Sequence, residues 1–318
     1  MDEFESYYPP KPVLVEKERR GSLAVTVFTL VLFILTFAWL LNDDYALIFM
    51  LVGVLLIHEL GHFLMMKIFN YKNVRMLFVP LMGAFVHGKK DIYSQKERAL
   101  VLLAGPIPGI VLGLIGVYYA YSNEIPWMLE FGFIFILINL MNLIPLDPLD
   151  GGQLLKNMFF GNFEIMQLVF SLLSSLAVIG FGWYMQEWII VGFGFFLGLR
   201  VRNIQKLYTI RKELKEENLA YVSTYNELSN KDFAGIKSVV MENTPALKVY
   251  EEQAPQEKFN AIIASQVNGV LIAPTKKDAG FIFNLIVLIL WLGAIAFSIY
   301  AAIDIFTSST FIELFNGV

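Results

Sequence analysis

Residues 45–69 read YALIFMLVGVLLIHELGHFLMMKIF, and this stretch decides how the chain must fold. It is apolar over more than the roughly 20 residues that a helix needs to cross a bilayer. Three ionisable residues nevertheless fall within five consecutive positions of it, namely His58, Glu59 and His62. Ionisable groups at membrane depth are costly and tend to persist because they serve a function. The stretch therefore predicts a transmembrane helix that carries a functional site.

The composition of the whole chain also indicates a membrane protein. Of its 318 residues, 57% are hydrophobic and only 16% are charged, and the mean hydropathy of +0.60 lies outside the range of ordinary globular domains. The chain has no cysteine, so disulfides and a cysteine nucleophile are excluded, and a metal site must use imidazole and carboxylate. A net charge of -4 gives no sign of a nucleic-acid partner.

About six to seven segments are predicted to cross the membrane. They are residues 21–41, 45–69, 99–121, 127–144, 165–185, 188–201 and 281–303, of which the sixth is short. The first segment is longer than the apolar core of a signal peptide and lacks a small-residue cleavage site. It is therefore predicted to remain as an uncleaved span.

The distribution of basic residues predicts the orientation of these spans. Lysine and arginine collect in the N-terminal tail and in residues 67–75, 89–98 and 200–215, whereas the intervening connections lack them. Basic segments face the cytoplasm in most membrane proteins. We therefore expect a cytoplasmic N-terminus and a C-terminus on the outer side.

Two regions do not read as simple spans. Residues 74–88 are apolar but are interrupted by Pro80 and two glycines. They predict a re-entrant hairpin, which is tolerated at membrane depth only beside protein or a water-filled cavity. Residues 203–278 are rich in charge and have helical spacing at 232–241 and 258–270, which predicts a small, mostly helical cytoplasmic domain.

The fold class that follows is an all-α polytopic membrane protein with a re-entrant β-hairpin and a small helical cytoplasmic domain. The predicted organisation is a cytoplasmic tail at 1–20, a membrane-embedded core at 21–201, the helical domain at 202–279, and a last span with its tail at 280–318.

The pattern His58-Glu59-Leu60-Gly61-His62 carries the strongest chemical signal. Residues four apart share one face of a helix, so both imidazoles can bind one metal ion, and Glu59 is placed to take a proton from a water that the metal activates. The non-catalytic alternative is a polar helix face whose side chains form hydrogen bonds with neighbouring helices. Asn139, in the fourth predicted span, is interpreted as a residue that only joins helices in this way.

A catalytic zinc site needs a third protein ligand, and residues 142–152 offer two candidates. The segment reads NLIPLDPLDGG, and Pro145 and Pro148 stop the fourth span because the residue before a proline is pushed out of helical geometry. On this argument, either Asp147 or Asp150 could bend toward the metal. The alternative is that the aspartate only caps a helix and binds no metal.

These motifs resemble the site-2 protease family of intramembrane zinc metalloproteases. The resemblance rests on residues 58–62, on Pro80 to Gly83 with the following Leu-Ala-Gly-Pro at 103–106, and on 142–152. It implies one Zn²⁺ per chain held by His58, His62 and Asp150 rather than Asp147. It also implies that Asn142 lies near the substrate, and that the hairpin, with Gly83, guides an unwound substrate helix.

Two positions depart from the pattern of this family. Met82 stands where many members have a second glycine, and Gly109 stands where an asparagine often follows the Ala-Gly-Pro block. Neither position belongs to the implied set of metal ligands.

The expected function is hydrolysis, by a site-2 type zinc metalloendopeptidase, of peptide bonds in transmembrane substrates near the cytoplasmic side of the bilayer. Such an enzyme performs regulated intramembrane proteolysis, with a membrane protein as substrate and lipid around it, in the cell membrane if the source is bacterial. A membrane zinc transporter, a non-catalytic scaffold, and another integral zinc protease class that uses a downstream glutamate such as Glu164 are the alternatives.

Overall fold

The structure is a computed structural model that describes residues 8–15, 23–41, 44–80, 83–161 and 163–306. The chain divides into two compact units. The first, called the site unit here, comprises Arg19–Lys90, Ser94–Gly161 and Lys277–Val318, and the second, called the helical unit, comprises Met1–Glu18, Asp91–Tyr93 and Asn162–Lys276.

The site unit is built from helices around one small sheet. Its elements are α1 Leu23–Leu40, α2 Tyr45–Ile68, β1 Lys72–Val79, β2 Gly83–Lys89, the second residue of the short β3 Tyr93–Ser94, α3 Gln95–Ala104, α4 Pro106–Ser122, α5 Pro126–Asn142, α6 Asp150–Leu155, and a π-helical turn at Lys156–Phe160. The helical unit follows with α7 Glu164–Tyr184, α8 Trp188–Glu216, α9 Asn230–Glu242, α10 Pro245–Gln253, α11 Gln256–Val270 and the short β4 Thr275–Lys276, and the chain then returns to the site unit with α12 Phe281–Phe306.

Within the described residues, five helical segments are long and apolar enough to cross a membrane. They are Leu23–Leu40, Tyr45–Ile68, Gln95–Ser122, Glu164–Tyr184 and Phe281–Asp304. The chain is thus a multi-pass membrane protein of mostly helical structure. Helix α5 is also apolar but has only 17 residues.

The predicted spans and the observed helices differ most at two places. The third predicted span consists of α3 and α4, which meet at Gly105 and Pro106 because proline lacks the N–H that would continue the helix. The sixth predicted span is only the first part of α8, which runs for 29 residues to Glu216. The total of six to seven spans stays a prediction. Residues 1–7, 16–22, 42–43 and 307–318, which include most of the predicted tail and the start of the first predicted span, lie outside the described residues.

The predicted hairpin is present as strands β1 and β2, which pair antiparallel with Val79 opposite Gly83. Leu81 and Met82, at its tip, lie outside the described residues. Helix α1 covers β1, where Thr26 Oγ1 donates to Met76 O at 2.8 Å and Phe78 N donates to Thr29 Oγ1 at 3.3 Å. These two hydroxyls provide hydrogen-bond partners for the edge of β1, which lipid could not provide.

The helical unit has a hydrophobic core of its own. Helices α9 and α11 contain both segments that were predicted to be helical, and α10 lies between them. Their fully buried side chains include Ile236, Phe259 and Ile263, each at most 1% exposed. The amphipathic spacing of these helices therefore forms a core as it does in a water-soluble domain.

An N-terminal strap, defined as residues 8–15, is held on the helical unit by Lys11. The Lys11 ammonium donates to the carbonyl oxygens of Tyr225, Asn226 and Leu228 at 2.7, 2.9 and 2.5 Å. The Tyr225 hydroxyl donates to Pro12 O at 2.7 Å, and burial raises the pKa of Tyr225 to about 12. The phenol therefore keeps its proton, and with it this hydrogen bond, at neutral pH.

Replacing Lys11 with methionine should loosen this turn, because hydrogen bonds from a charged donor contribute about 2 kcal/mol. Amides of residues 225–230 should exchange with solvent deuterium roughly 30-fold faster, as that energy implies. Hydrogen exchange with mass spectrometry measures this effect. The control is Lys231→Met, at an exposed position in the same unit, and equal exchange in both variants would contradict the role of Lys11.

Candidate metal centre

Helix α2 buries three ionisable side chains side by side. His58, Glu59 and His62 are 2%, 5% and 6% exposed. Because the two histidines are four residues apart, they lie on one face of the helix, and their Nε2 atoms are 3.0 Å apart. Two imidazoles held this close inside a membrane helix need a shared partner, because each must satisfy its polar atoms without water.

The loop after α5 brings Asp150 to the two histidines. Helix α5 ends at Asn142, and Asp150 begins the short helix α6. One oxygen of Asp150, Oδ2, lies 3.1 Å from His58 Nε2 and 3.2 Å from His62 Nε2. These three residues are the group that could hold a metal ion within the described part of the chain.

The spacing of the three ligand atoms suits a tetrahedral zinc ion. Ligands at about 2.0–2.1 Å from zinc lie about 3.3 Å from one another at the corners of a tetrahedron. The observed separations of 3.0, 3.1 and 3.2 Å are close to this edge length. Two nitrogens and one carboxylate oxygen also leave a fourth position open, as catalytic zinc sites do.

The other nitrogen of each imidazole has a fixed acceptor. His58 Nδ1 is 2.8 Å from Asn139 Oδ1, and His62 Nδ1 is 2.7 Å from Val101 O. Since an oxygen of this kind can only accept, we assign the proton of each ring to Nδ1. The lone pair is then on Nε2, where the two rings and Asp150 converge, and such partners commonly orient metal-binding histidines.

The Val101 carbonyl can accept the hydrogen bond from His62 because it lies in the last turn of α3. The final four carbonyls of a helix have no partner within it, and α3 ends at Ala104. The break between α3 and α4 therefore leaves the Val101 carbonyl for His62.

Asn139 reaches His58 through space that Gly109 leaves open. A Cβ at Gly109 would lie 2.3 Å from the carboxamide of Asn139, and Asn139 is fully buried, with Nδ2 donating to Phe135 O at 2.8 Å. The interpretation of Asn139 as a residue that only joins helices missed this contact with a candidate ligand. The absence of a side chain at Gly109 was the available signal, because it leaves a gap beside α5.

Glu59 is the buried acid beside this cluster. Its carboxylate lies near the backbone of Val86 in β2. Its buried oxygen Oε2 has no hydrogen-bond partner among the described residues. Since a buried carboxylate oxygen rarely lacks a partner, this atom suits a role toward a water or substrate group.

The second candidate ligand, Asp147, has a different partner. It is 4% exposed, and its Oδ1 lies 2.6 Å from Lys156 Nζ. The downstream glutamate of the alternative protease class, Glu164, forms an ion pair with Arg211 at 3.1 Å within the helical unit. Both carboxylates are thus neutralised by cations, and neither belongs to the described cluster.

The two residues predicted to contact substrate lie outside the cluster. The carboxamide of Asn142 donates to Ile138 O at 3.0 Å, so this side chain bonds back to its own helix. Gly83 begins β2 with a φ of 93°, and a Cβ there would meet nothing within 4 Å. A side chain at Gly83 would therefore point into open space, on the strand whose Val86 lies near Glu59.

Comparison with known proteins points to one family. The sequence pattern of Peptidase family M50 matches residues 46–131. Stage IV sporulation protein FB of Bacillus subtilis is 30% identical over 138 residues, which cover 40% of this chain and 45% of that protein. A zinc metalloprotease of Methanocaldococcus jannaschii is 27% identical over 144 residues, 42% of each chain.

The family pattern and the two curated relatives confirm the predicted resemblance to the site-2 protease family. The solved structure titled as the site-2 protease of Methanocaldococcus jannaschii is also similar, with a TM-score of 0.43 and 20% identity over 55% of this chain and 87% of that one. The chain spans less than half the length of the two curated relatives that it matches. The family pattern includes α2 with both histidines but ends before Asn139 and Asp150.

Removing the carboxamide in Asn139→Ala should leave His58 Nδ1–H buried without an acceptor. Loss of such a partner typically weakens metal binding by about 10- to 100-fold, so the zinc affinity of the purified chain should fall by that factor. Competition with a fluorescent zinc chelator measures it. Asn139→Asp, which keeps an acceptor oxygen, should retain most of the affinity.

The matched control for this prediction is Asn142→Ala, one turn along α5, where the carboxamide bonds only to its own helix in the contact described above. Equal zinc affinity in the two alanine variants would contradict the assignment of Asn139 to His58.

Proposed function

We propose that this chain is a zinc metalloendopeptidase of the site-2 type, with one zinc ion held by His58, His62 and Asp150. One observation carries the proposal. Three ligand atoms lie 3.0–3.2 Å apart beside the buried Oε2 of Glu59, which has no protein partner among the described residues. Two imidazoles, a carboxylate and a second, free carboxylate are the parts that metal-assisted hydrolysis needs.

The proposed substrates are transmembrane segments of other membrane proteins. Two of the candidate ligands, His58 and His62, lie in α2, a helix that is long and apolar enough to cross the bilayer. A soluble substrate would therefore have to enter the membrane to reach them. We propose cleavage near the cytoplasmic side, with the N-terminus in the cytoplasm and, in a bacterium, the chain in the cell membrane. Release of a membrane-held protein by such a cut is regulated intramembrane proteolysis.

The chemistry divides between the metal and the protein. Zinc in this site would acidify a water molecule and polarise the scissile carbonyl. Glu59 accepts a proton from that water as its oxygen bonds to the carbonyl carbon, and donates the proton to the amide nitrogen as the C–N bond breaks. Asn139 and Val101 keep both imidazoles in the tautomer that presents Nε2.

The membrane adds a requirement that the hairpin can meet. In a substrate helix the peptide groups are bonded to one another, and lipid offers no replacement partners. Local unwinding must therefore precede attack. We propose that strand β2 supplies backbone partners for the unwound segment, that Gly83 leaves room for it, and that Asn142 contacts it.

A zinc transporter would use similar residues differently. Transport requires acidic groups and histidines spread along a pathway through several helices. Among the described residues, the groups able to share a metal form one cluster, which favours a fixed catalytic ion. Zinc uptake by vesicles that contain the purified chain would support the transporter instead.

The test of this function is the variant Glu59→Gln, which keeps the ligands and removes the base. Cleavage of co-expressed single-span membrane proteins should fall at least about 100-fold, the usual contribution of a general base, while zinc content stays at the level of the wild type. Immunoblots of the substrates and elemental analysis of the purified chain give the two readouts.

The control is Glu124→Gln, at an exposed position between α4 and α5, which should cleave like the wild type. Cleavage by Glu59→Gln at the rate of the wild type would overturn the proposed mechanism. If Glu59→Gln lost both its zinc and its cleavage activity, Glu59 would instead be assigned to the metal site.

A further inference from the structure

Helix α12, which follows the helical unit in the chain, is part of the core of the site unit. It packs against α3, α4 and α5, and its buried residues include Val287 and Trp291, at 2% and 4% exposure. These side chains share a hydrophobic cluster with Leu143 and Leu154, on either side of the loop that carries Asp150. A helix that served only as a membrane anchor would not need to bury a tryptophan against that loop.

Trp291 makes a directed contact as well as an apolar one. Its indole Nε1 donates to Leu143 O at 2.8 Å, and both residues are buried. Leu143 is the cap residue at the end of α5, where carbonyls lack partners within the helix. In an apolar setting an unpaired carbonyl is costly, so this indole fixes where α5 ends.

The same carbonyl touches the residue that follows Asp150. A Cβ at Gly151 would lie 2.1 Å from Leu143 O, so the backbone at Gly151 packs directly on this oxygen. The Leu143 carbonyl thus lies between the indole of Trp291 and the start of α6. Any movement of the carbonyl would press on the backbone that positions Asp150.

A second contact joins the start of α12 to the helix that orients His62. Asp278, three residues before α12, accepts from Ser94 Oγ at 2.7 Å and from Lys96 N at 3.2 Å. It therefore places a carboxylate at the N-terminus of α3, where negative charge is favourable. Helix α3 supplies the Val101 carbonyl to His62.

We propose that Trp291 is a positioning residue of the metal centre and that it acts on Asp150 through the Leu143 carbonyl. Helix α12 then contributes to the geometry of the metal centre, although its residues lie far beyond those that the family pattern matches. The inference rests on the proposed function only in taking His58, His62 and Asp150 as metal ligands.

The test uses the full chain in detergent, with Glu59→Gln in every variant so that metal binding is read without proteolysis. Trp291→Phe keeps a ring and removes the N–H donor. Its zinc affinity should fall about 10-fold, the lower end of the range for residues outside the ligand set. The visible absorption bands of bound Co²⁺ should shift, because they report the geometry of the ligands.

The control is Trp39→Phe, at a tryptophan of α1 that is 81% exposed; it should match the parent in affinity and spectrum. If Trp291→Phe does not fold, benzothienylalanine at position 291 replaces the N–H with sulfur at nearly constant shape and is expected to give the same loss. Thermal unfolding checks the fold of each variant.

Zinc affinity and cobalt spectrum equal to those of Trp39→Phe would overturn the inference, even if the unfolding temperature fell. In that case α12 stabilises the fold without positioning Asp150. A chain with Glu59 intact that binds no zinc would contradict the proposed function itself, and this inference with it.

Discussion

Two imidazoles and a carboxylate meet within 3.2 Å of one another in a part of the chain that water does not reach freely. Uncompensated, such a group would be costly, because lipid and apolar side chains offer neither countercharge nor hydrogen bonds. A divalent ion would compensate it, and the open fourth position would make the same ion useful for catalysis. The surrounding structure can be understood as the means of holding these three atoms together.

That support consists of hydrogen bonds to helix ends and to one buried amide. The break between α3 and α4 frees the Val101 carbonyl for His62, Gly109 leaves space for the Asn139 amide beside His58, and Trp291 bonds the carbonyl that ends α5. Each contact also satisfies a polar group that the bilayer could not satisfy. The same contacts therefore pair buried polar groups and orient the proposed metal ligands.

The sequence was informative where the signal is local. His58 and His62 could be assigned to one face because they are four residues apart on a helix, and the apolar segments predicted most helices. Asp150 lies 88 residues from His62, and its choice over Asp147 needed the family resemblance, because the path of a loop depends on tertiary contacts. The ion pair between Asp147 and Lys156 now gives a physical reason for that choice.

The contacts between helices could not be predicted. Whether Asn139 or Trp291 meets a partner depends on the rotation and depth of each helix, which hydropathy does not report. The end of α8 shows a related limit: apolar character stops near Arg200, whereas the helix continues to Glu216. Hydropathy reports the apolar residues of a helix, whereas its backbone hydrogen bonds continue beyond the point where those residues end.

The most direct test of this account is zinc K-edge X-ray absorption on the purified chain and on Asp150→Asn and Asp147→Asn. The account predicts two imidazoles and oxygen ligands at about 2.0–2.1 Å in the wild type, the same spectrum in Asp147→Asn, and an altered or missing zinc shell in Asp150→Asn. A wild-type spectrum without two imidazoles, or an unchanged one in Asp150→Asn, would contradict the assignment of the metal centre.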